Sequence, residues 1–393
     1  MPEYVAGNRL TLLRNGAQYF PQLVRAIDAA AHEVFLETYL FADDQTGSLV
    51  ADALARAAAR GVRVQLLLDG FGARNFAPRF RDLLEQAGAR ILVFRPDISP
   101  WRLRRNRLRR MHRKLACADG ALAFVGGINV IDDFHTPGQL PPRYDYAVKI
   151  EGPLTALVRA EAARLWSRVA WASFGRRWPG MSAWIGGRRP EELPAPAACP
   201  ENQRAALVVR DNVRHRRDIE QAYHEVIEAA REEILIACAY FFPGRRFRQA
   251  LARAVARGVR VRLLLQGKVE YALLHYASRA LYGSLLEAGI EIHEYHRSFM
   301  HAKVAVFDRS SASVGSSNID PFSLLLAREA NVFADDRRFT AELRASLEEA
   351  FAGSLAMVPQ QWKMQPVALR VRTWIAYGLA RLLVAFFGPD RAY

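Results

Sequence analysis

Short apolar runs alternate with amphipathic stretches along most of this chain. In the first half, residues 34–40, 62–68 and 91–94 are short, mainly apolar runs, the pattern of strands covered on both faces. Between them, residues 47–60 and 80–87 predict helices. The second half repeats the order: strand 234–240, helix 247–257, strand 259–265, helix 281–288 and strand 291–295. Residues 54–70 and 251–267 agree at fourteen of seventeen positions, so the chain is an internal duplication. The fold class expected is α/β, with two duplicated α/β/α sandwich domains related by a pseudo-twofold and a C-terminal amphipathic, hydrophobic tail. The predicted boundaries are 1–185 and 201–360 for the domains, a Pro- and Gly-containing linker at 186–200, and a tail at 361–393.

One polar skeleton recurs within the duplication. His112, Lys114, Asp119 and Asn129 match His301, Lys303, Asp308 and Asn318; in both copies Lys follows His by two, Asp by seven and Asn by seventeen. Residues 115–118 and 304–307 are apolar and predict a short buried strand, on which His and Lys, two apart, share a face. The Asp closes that strand at a turn. The Asn follows a small-residue loop, Gly126-Gly127 or Gly315-Ser316-Ser317. Lysine usage sharpens the signal: the chain has five lysines against fifty arginines, and two of the five fill these slots. A flexible point charge is wanted there rather than a planar fork.

A formal net charge of +15 over 393 residues points to an anionic partner, either nucleic acid or an acidic membrane surface. The three cysteines, Cys117, Cys199 and Cys238, have neither a pairing pattern nor metal-ligand spacing. Cys117 and Cys238 are expected to be inert core residues in a reduced setting, and residues 1–15 lack an apolar signal-peptide core.

Three segments fall outside the repeat. Six arginines (Arg102, Arg104, Arg105, Arg107, Arg109 and Arg110) stand just before His112, placed to recruit anions. Over 157–184, Arg159, Arg164, Arg168, Arg176 and Arg177 alternate with Trp166, Trp171, Phe174, Trp178 and Trp184. That composition fits a membrane interface, and also a helix packed on a core. Residues 367–387 are apolar but interrupted by Arg370, Arg372 and Arg381. They are too short and broken for a membrane span, and suit an interfacial helix carrying Trp374, Tyr377, Phe386 and Phe387.

Histidine is a competent nucleophile at phosphorus, and a second histidine can protonate the leaving oxygen. Each needs its other ring nitrogen held by an acceptor, commonly a carboxylate, to fix its tautomer. Lys114, Lys303 and the Asn129 and Asn318 amides offer donors for phosphoryl oxygens. Two equivalent half-sites therefore suit a two-step displacement that requires no metal.

His-x-Lys-x4-Asp twice in a duplicated chain resembles the phospholipase D superfamily, and within it the bacterial cardiolipin synthases. The resemblance runs over nearly the whole chain. It includes Phe35-Leu36-Glu37-Thr38, Leu68-Asp69-Gly70, Arg110-Met111-His112-Arg113-Lys114, Gly126-Gly127-Ile128-Asn129 and Asp145-Tyr146-Ala147-Val148 in the first half. In the second it includes Met300-His301-Ala302-Lys303, Val314-Gly315-Ser316-Ser317-Asn318 and Glu329-Ala330-Asn331-Val332. One departure is Ala327, where many cardiolipin synthases carry Asn.

The resemblance implies transfer of a phosphatidyl group from one phosphatidylglycerol to another, through a phosphatidyl-histidine, with release of glycerol. It casts His112 as nucleophile, His301 as acid and base, Lys114, Lys303, Asn129 and Asn318 as phosphate ligands, and Asp145 and Glu329 as the carboxylates that orient the imidazoles. Asp119 and Asp308 complete the catalytic motifs and are expected to stand back from the phosphorus in a structural role. No cofactor or metal is implied. The expected partners are phosphatidylglycerol and an anionic membrane surface rather than nucleic acid, with a peripheral place on the cytoplasmic side of the cell membrane. The alternatives are another phospholipase D-type phosphodiesterase or phosphatidyltransferase, and a nuclease of the same superfamily. Arginines that travel with Trp and Phe, and an apolar tail, favour lipid over DNA.

Overall fold

The computed structural model describes residues 2–96, 109–136, 138, 140–174, 193–269, 271–364 and 366–387. The first half runs β1 (Val5–Arg14), α1 (Asn15–Ala29), β2 (Glu33–Thr38), α2 (Gln45–Ala59), β3 (Arg63–Asp69), α3 (Pro78–Gln86), β4 (Arg90–Phe94), β5 (Lys114–Ala118), β6 (Leu122–Gly126), β7 (Tyr146–Glu151) and α4 (Leu154–Phe174). The second runs β8 (Gln203–Arg210), α5 (Asp218–Ala229), β9 (Glu233–Cys238), α6 (Arg245–Ala256), β10 (Arg260–Gln266), α7 (Ala272–Arg279), α8 (Tyr282–Glu287), β11 (Glu291–Tyr295), β12 (Lys303–Phe307), β13 (Ser311–Gly315), α9 (Pro321–Leu325), β14 (Glu329–Asp335) and α10 (Arg337–Ala352). A short β15 (Leu355–Ala356), α11 (Pro359–Lys363) and α12 (Val367–Phe387) follow.

These strands form one hydrogen-bonded sheet in the order β4-β3-β2-β5-β6-β7-β1-β8-β14-β13-β12-β9-β10-β11-β15. Apart from β15, the order reads the same from either end. The antiparallel β1–β8 pair lies at its centre, so the duplication becomes a local twofold. The sheet is mixed rather than uniformly parallel. β2, β3 and β4 pair in parallel, as do β9, β10 and β11, because a helix separates each from the next. From β5 to β7, and from β12 to β14, neighbours are antiparallel. The hairpin turns that join β5 to β6 and β12 to β13 begin at Asp119 and Asp308, at φ 50° and 51°, left-handed positions that Asp tolerates better than most residues.

Three buried clusters form the core. The inner one is shared by both halves: Leu115, Val125 and Tyr146 pack in the same cluster as Val304, Val314 and Val332. An outer cluster lies under α1, α2 and α3, and its counterpart lies under α5, α6 and α8. Asp44 caps α2 by accepting from the Gly47 amide at 2.7 Å, and Asp336 caps α10 through the Phe339 amide at 2.8 Å; such caps are worth about 1 kcal/mol each. Cys117 and Cys238 are free and buried, and burial pushes both thiols up to about 12.

The Arg- and Trp-bearing stretch is a core helix as far as Phe174. Trp166 is only 4% exposed, alongside buried Leu154, Val158 and Val169. Arg159 pairs with Glu33, Arg164 with Glu161, and Arg168 with Asp211 at 3.6 Å. The membrane-interface reading therefore fails for α4, apart from Trp171, which is 70% exposed. Arg176, Arg177, Trp178 and Trp184 lie outside the described residues, as do residues 186–192 of the linker and Arg102, Arg104, Arg105 and Arg107.

The tail is helical. One side of α12 docks on the second half: Thr373, Ala376 and Ala380 are buried, the Tyr377 ring meets Phe242 at 5.6 Å, and the Arg372 guanidinium sits 4.0 Å from the Tyr276 ring centroid. The opposite side exposes Val367, Val371, Ile375, Leu379 and Leu382, spaced by three or four along one stripe. Among the described residues no helix is long and apolar enough to cross a membrane.

Candidate active site

Two backbone crossings between the halves build the site. Met111 bridges Arg328 and Tyr144 bridges Met300, both in parallel. Next to these bridges, the His112 amide donates to the Arg328 carbonyl at 2.9 Å, and the His301 amide to the Tyr144 carbonyl at 2.8 Å. Each histidine is thereby laid against the strand start of the opposite half, where an acidic residue comes next: Glu329 begins β14, and Asp145 precedes β7.

The side chains follow from that pairing. His112 Nδ1 lies 3.0 and 3.2 Å from the two Glu329 oxygens, and His301 Nδ1 lies 2.7 Å from Asp145 Oδ2. A carboxylate can only accept, so each Nδ1 carries the proton and each Nε2 is left with its lone pair while the ring is neutral. The pairing crosses between halves, so neither half holds a complete site.

Lys114 Nζ donates to the His112 carbonyl at 2.7 Å, and Lys303 Nζ donates likewise to the His301 carbonyl. The strand begins at the lysine in both copies, with the histidine just before it. Both lysines are buried. Burial, opposed by Glu329 and aided by Lys303, brings Lys114 down to about 7. Burial also lowers His112 against the pull of Glu329. It holds His301 well below the usual imidazole range, with Lys303, Arg143 and Lys114 adding to the effect. Asp145 is raised to about 6, again by burial.

Asn129 and Asn318 are buried at the same end of the motif hairpins. Asn129 Oδ1 accepts from the Leu40 amide at 3.2 Å, which directs its NH2 as the donor end. Asn318 Oδ1 is buried and has no hydrogen-bond partner among the described residues. Asp119 and Asp308 do not join this group. Asp119 accepts from the amides of Ala31, His32 and Glu33 at 2.7–2.9 Å. Asp308 accepts from Arg231, Glu232 and Glu233 at 2.7–3.2 Å. Each stands at the far end of its strand, roughly 20 Å along the extended chain from its histidine. They stand back from the imidazoles, and their carboxylates tie the entry of β2 and β9 to the hairpin.

Several neighbours of the imidazoles escaped the pattern reading. The Tyr39 ring meets His112 edge-on at 5.0 Å, and Phe299 stacks on His301 at 6.2 Å, with the Arg143 guanidinium 4.7 Å from the Phe299 ring centroid. Asp69 accepts from the Met111 amide at 2.8 Å, bracing the segment before His112. The aligned loops carried one usable signal. Gly127 aligns with Ser316, and a Cβ at Gly127 would lie 2.3 Å from Asp145 Oδ1. The second half has the longer Glu329 in place of Asp145, and the Ser316 hydroxyl donates to its carboxylate.

The electrostatics make one prediction. An anionic phosphodiester between the imidazoles should raise the affinity of Lys114 and His301 for protons. Binding of a soluble phosphodiester at pH 8 should therefore take up protons, measurable by calorimetry in buffers of different ionisation heat. The Lys114 share should fade below pH 7, where that amine is already charged in the free protein. Uptake by His301 should persist to lower pH. Binding with no proton uptake at pH 8 would contradict this picture.

The family described as "Cardiolipin synthase, PLD-like domain" matches residues 23–166 and 223–351, one stretch in each half. Cardiolipin synthase B of Escherichia coli (strain K12) is 37% identical over 381 residues, covering 97% of this chain and 87% of the relative. Cardiolipin synthase 1 of Bacillus cereus is 29% identical over 369 residues, covering 93% and 71%. The crystal structure of phosphatidylserine synthase from Haemophilus influenzae Rd KW20 has the same fold, with a TM-score of 0.71 over 95% of this chain and 93% of that one, at 12% identity. With both motifs complete and facing each other across the halves, and with a near full-length likeness to these relatives, the chain belongs to the phospholipase D-like family of cardiolipin synthases.

Proposed function

We propose that this enzyme, a phosphatidyltransferase, joins two phosphatidylglycerol molecules into cardiolipin and releases glycerol. The observation that carries the reading is the pair of imidazoles, each held at Nδ1 by a carboxylate of the other half. His301 takes up a proton as the anionic substrate binds; in the first step His112 Nε2 attacks phosphorus, the bond to the headgroup glycerol breaks, and His301 gives that Nε2 proton to the departing oxygen. In the second, a hydroxyl of another phosphatidylglycerol returns a proton to His301 and attacks phosphorus, and the P–N bond breaks. Protons balance over the cycle, so no co-reactant is consumed. Lys114, Lys303, Asn129 and Asn318 serve as the donors for the phosphoryl oxygens, where charge builds in the transition state. The two catalytic halves take residues 1–185 and 201–360, with 361–393 as the membrane-associating part.

The direct test is incubation with phosphatidylglycerol vesicles. Cardiolipin and free glycerol in equal amounts support the proposal. Phosphatidic acid with glycerol and no cardiolipin would make water the acceptor, and cleavage of DNA without lipid turnover would overturn the lipid reading.

The enzyme works from the cytoplasmic face of an anionic membrane, held peripherally. Near-surface cations add about 1 kcal/mol each, and the exposed stripe of α12 supplies apolar contact. Its other face is packed, so deleting the helix would expose core. The cleaner change is Val371→Gln, Ile375→Gln, Leu379→Gln and Leu382→Gln together. Each aliphatic side chain is worth roughly 1.5–3 kcal/mol when fully withdrawn from water, so sedimentation with anionic vesicles should fall at least about tenfold. Turnover of a soluble short-chain substrate should hold. Unchanged vesicle binding would remove α12 from the membrane contact.

A further inference from the structure

A second cleft lies apart from the histidines, between α8, α11 and α12. It encloses about 570 Å³, within the range of ordinary ligand sites, and shares no lining residue with the catalytic group. Leu281, Leu286 and Trp362 make an apolar wall, and Trp374 stands at the edge, 59% exposed. Trp362 is fixed in place by the Tyr282 ring at 5.0 Å and the Arg279 guanidinium at 5.5 Å. Two cations, Arg248 and Arg370, reach the same space, with Glu287 the one carboxylate among its lining residues. Arg248 Nε is buried and has no hydrogen-bond partner among the described residues. A buried guanidinium N–H is costly to leave without an acceptor, and an anion in the cleft would supply one.

Apolar wall, aromatic edge and paired arginines are the chemistry of an anionic amphiphile. The cleft also opens beside α12, whose exposed stripe is the surface assigned above to the membrane. We infer that it holds one anionic glycerophospholipid drawn from the bilayer, with the phosphate on Arg248 and Arg370 and an acyl chain along Leu281, Leu286 and Trp362. The site rests on the reading of α12 as membrane-facing. It is an anchoring site, separate from turnover: the lipid bound there is not the one that meets His112.

The test uses the full chain carrying His112→Ala and His301→Ala, so that no lipid is consumed. The probe is a short-chain phosphatidylglycerol with brominated acyl chains, kept below its micelle concentration, because bromine quenches tryptophan only at contact. Saturable quenching is expected, and it should be lost when Trp362→Phe and Trp374→Phe are added. Arg248→Gln with Arg370→Gln should weaken the apparent affinity at least tenfold, and Arg248→Lys with Arg370→Lys should recover part of it. A phosphatidylcholine with the same chains should quench at least tenfold more weakly. Equal quenching by phosphatidylcholine would overturn the anionic assignment. Displacement by inorganic phosphate at the lipid's own affinity would overturn the lipid one. Undiminished quenching in the glutamine variant, with an unchanged melting temperature, would overturn the arginine site. If that variant does not fold, the lysine variant and the phosphatidylcholine comparison decide. Cardiolipin formation by the native chain is not read in this experiment, so its failure would be seen separately.

Discussion

Asp145→Asn and Glu329→Gln should each lower turnover on the order of 10³- to 10⁴-fold, the scale of losing the carboxylate behind a catalytic imidazole. An amide presents an NH2 as well as an oxygen, so the ring can settle with its proton on Nε2, the atom that must face phosphorus. The two losses should differ in kind. Glu329 serves His112 and Asp145 serves His301, so Glu329→Gln should slow formation of the phosphatidyl-enzyme, while Asp145→Asn should slow the steps that need a proton moved. Burial raises Asp145 to about 6, which predicts an acidic dependence that Asp145→Asn should abolish. A merely structural carboxylate would lower the melting temperature and leave the pH profile intact. Near-normal rates in both variants would refute the orienting role.

In His301→Ala, a substrate whose leaving group is nitrophenolate should give a stoichiometric burst and then stop. Glycerol leaves poorly without a proton, whereas nitrophenolate needs none. The P–N bond to His112 therefore forms as the P–O bond breaks. The second step still lacks its base, so the adduct should accumulate. Mapped under alkaline conditions, where phosphohistidine survives, it should lie on the peptide containing His112. His112→Ala should show no burst with the same substrate. A burst from His112→Ala, with the adduct on His301, would reverse the two roles. The near symmetry of the site makes this experiment decisive: both rings have one carboxylate, one lysine and one aromatic neighbour.

Local pattern alone carried a large part of the fold. The strands read at 34–40, 62–68, 234–240 and 259–265 form within two residues of those bounds, because a short, mainly apolar run buries both faces as a strand in a covered sheet. The duplication was equally plain, and with it the two His-Lys pairs, since residues two apart along an extended chain keep a fixed relation. The central strands β1 and β8 were not read. Gly7 and Asn8 interrupt β1, and its partners are the last strand of the first half and the first of the second.

Only the tertiary structure decided which groups meet. His112 and Glu329 are 217 positions apart, and His301 and Asp145 are 156 apart. Nothing in periodicity selects a partner at that range; the crossed assignment comes from the twofold that lays Met111 against Arg328 and Tyr144 against Met300. The same holds for Trp166 and Arg159, whose composition suited a membrane as well as a core. A tryptophan buried against a sheet and one lying in a headgroup layer are the same letter, and the helix that α4 packs into the inner core settled between them. For Asp119 and Asp308, spacing from the histidine placed them in the motif. The strand between, five residues long, carried their carboxylates to its opposite end, because an extended chain separates what it spaces.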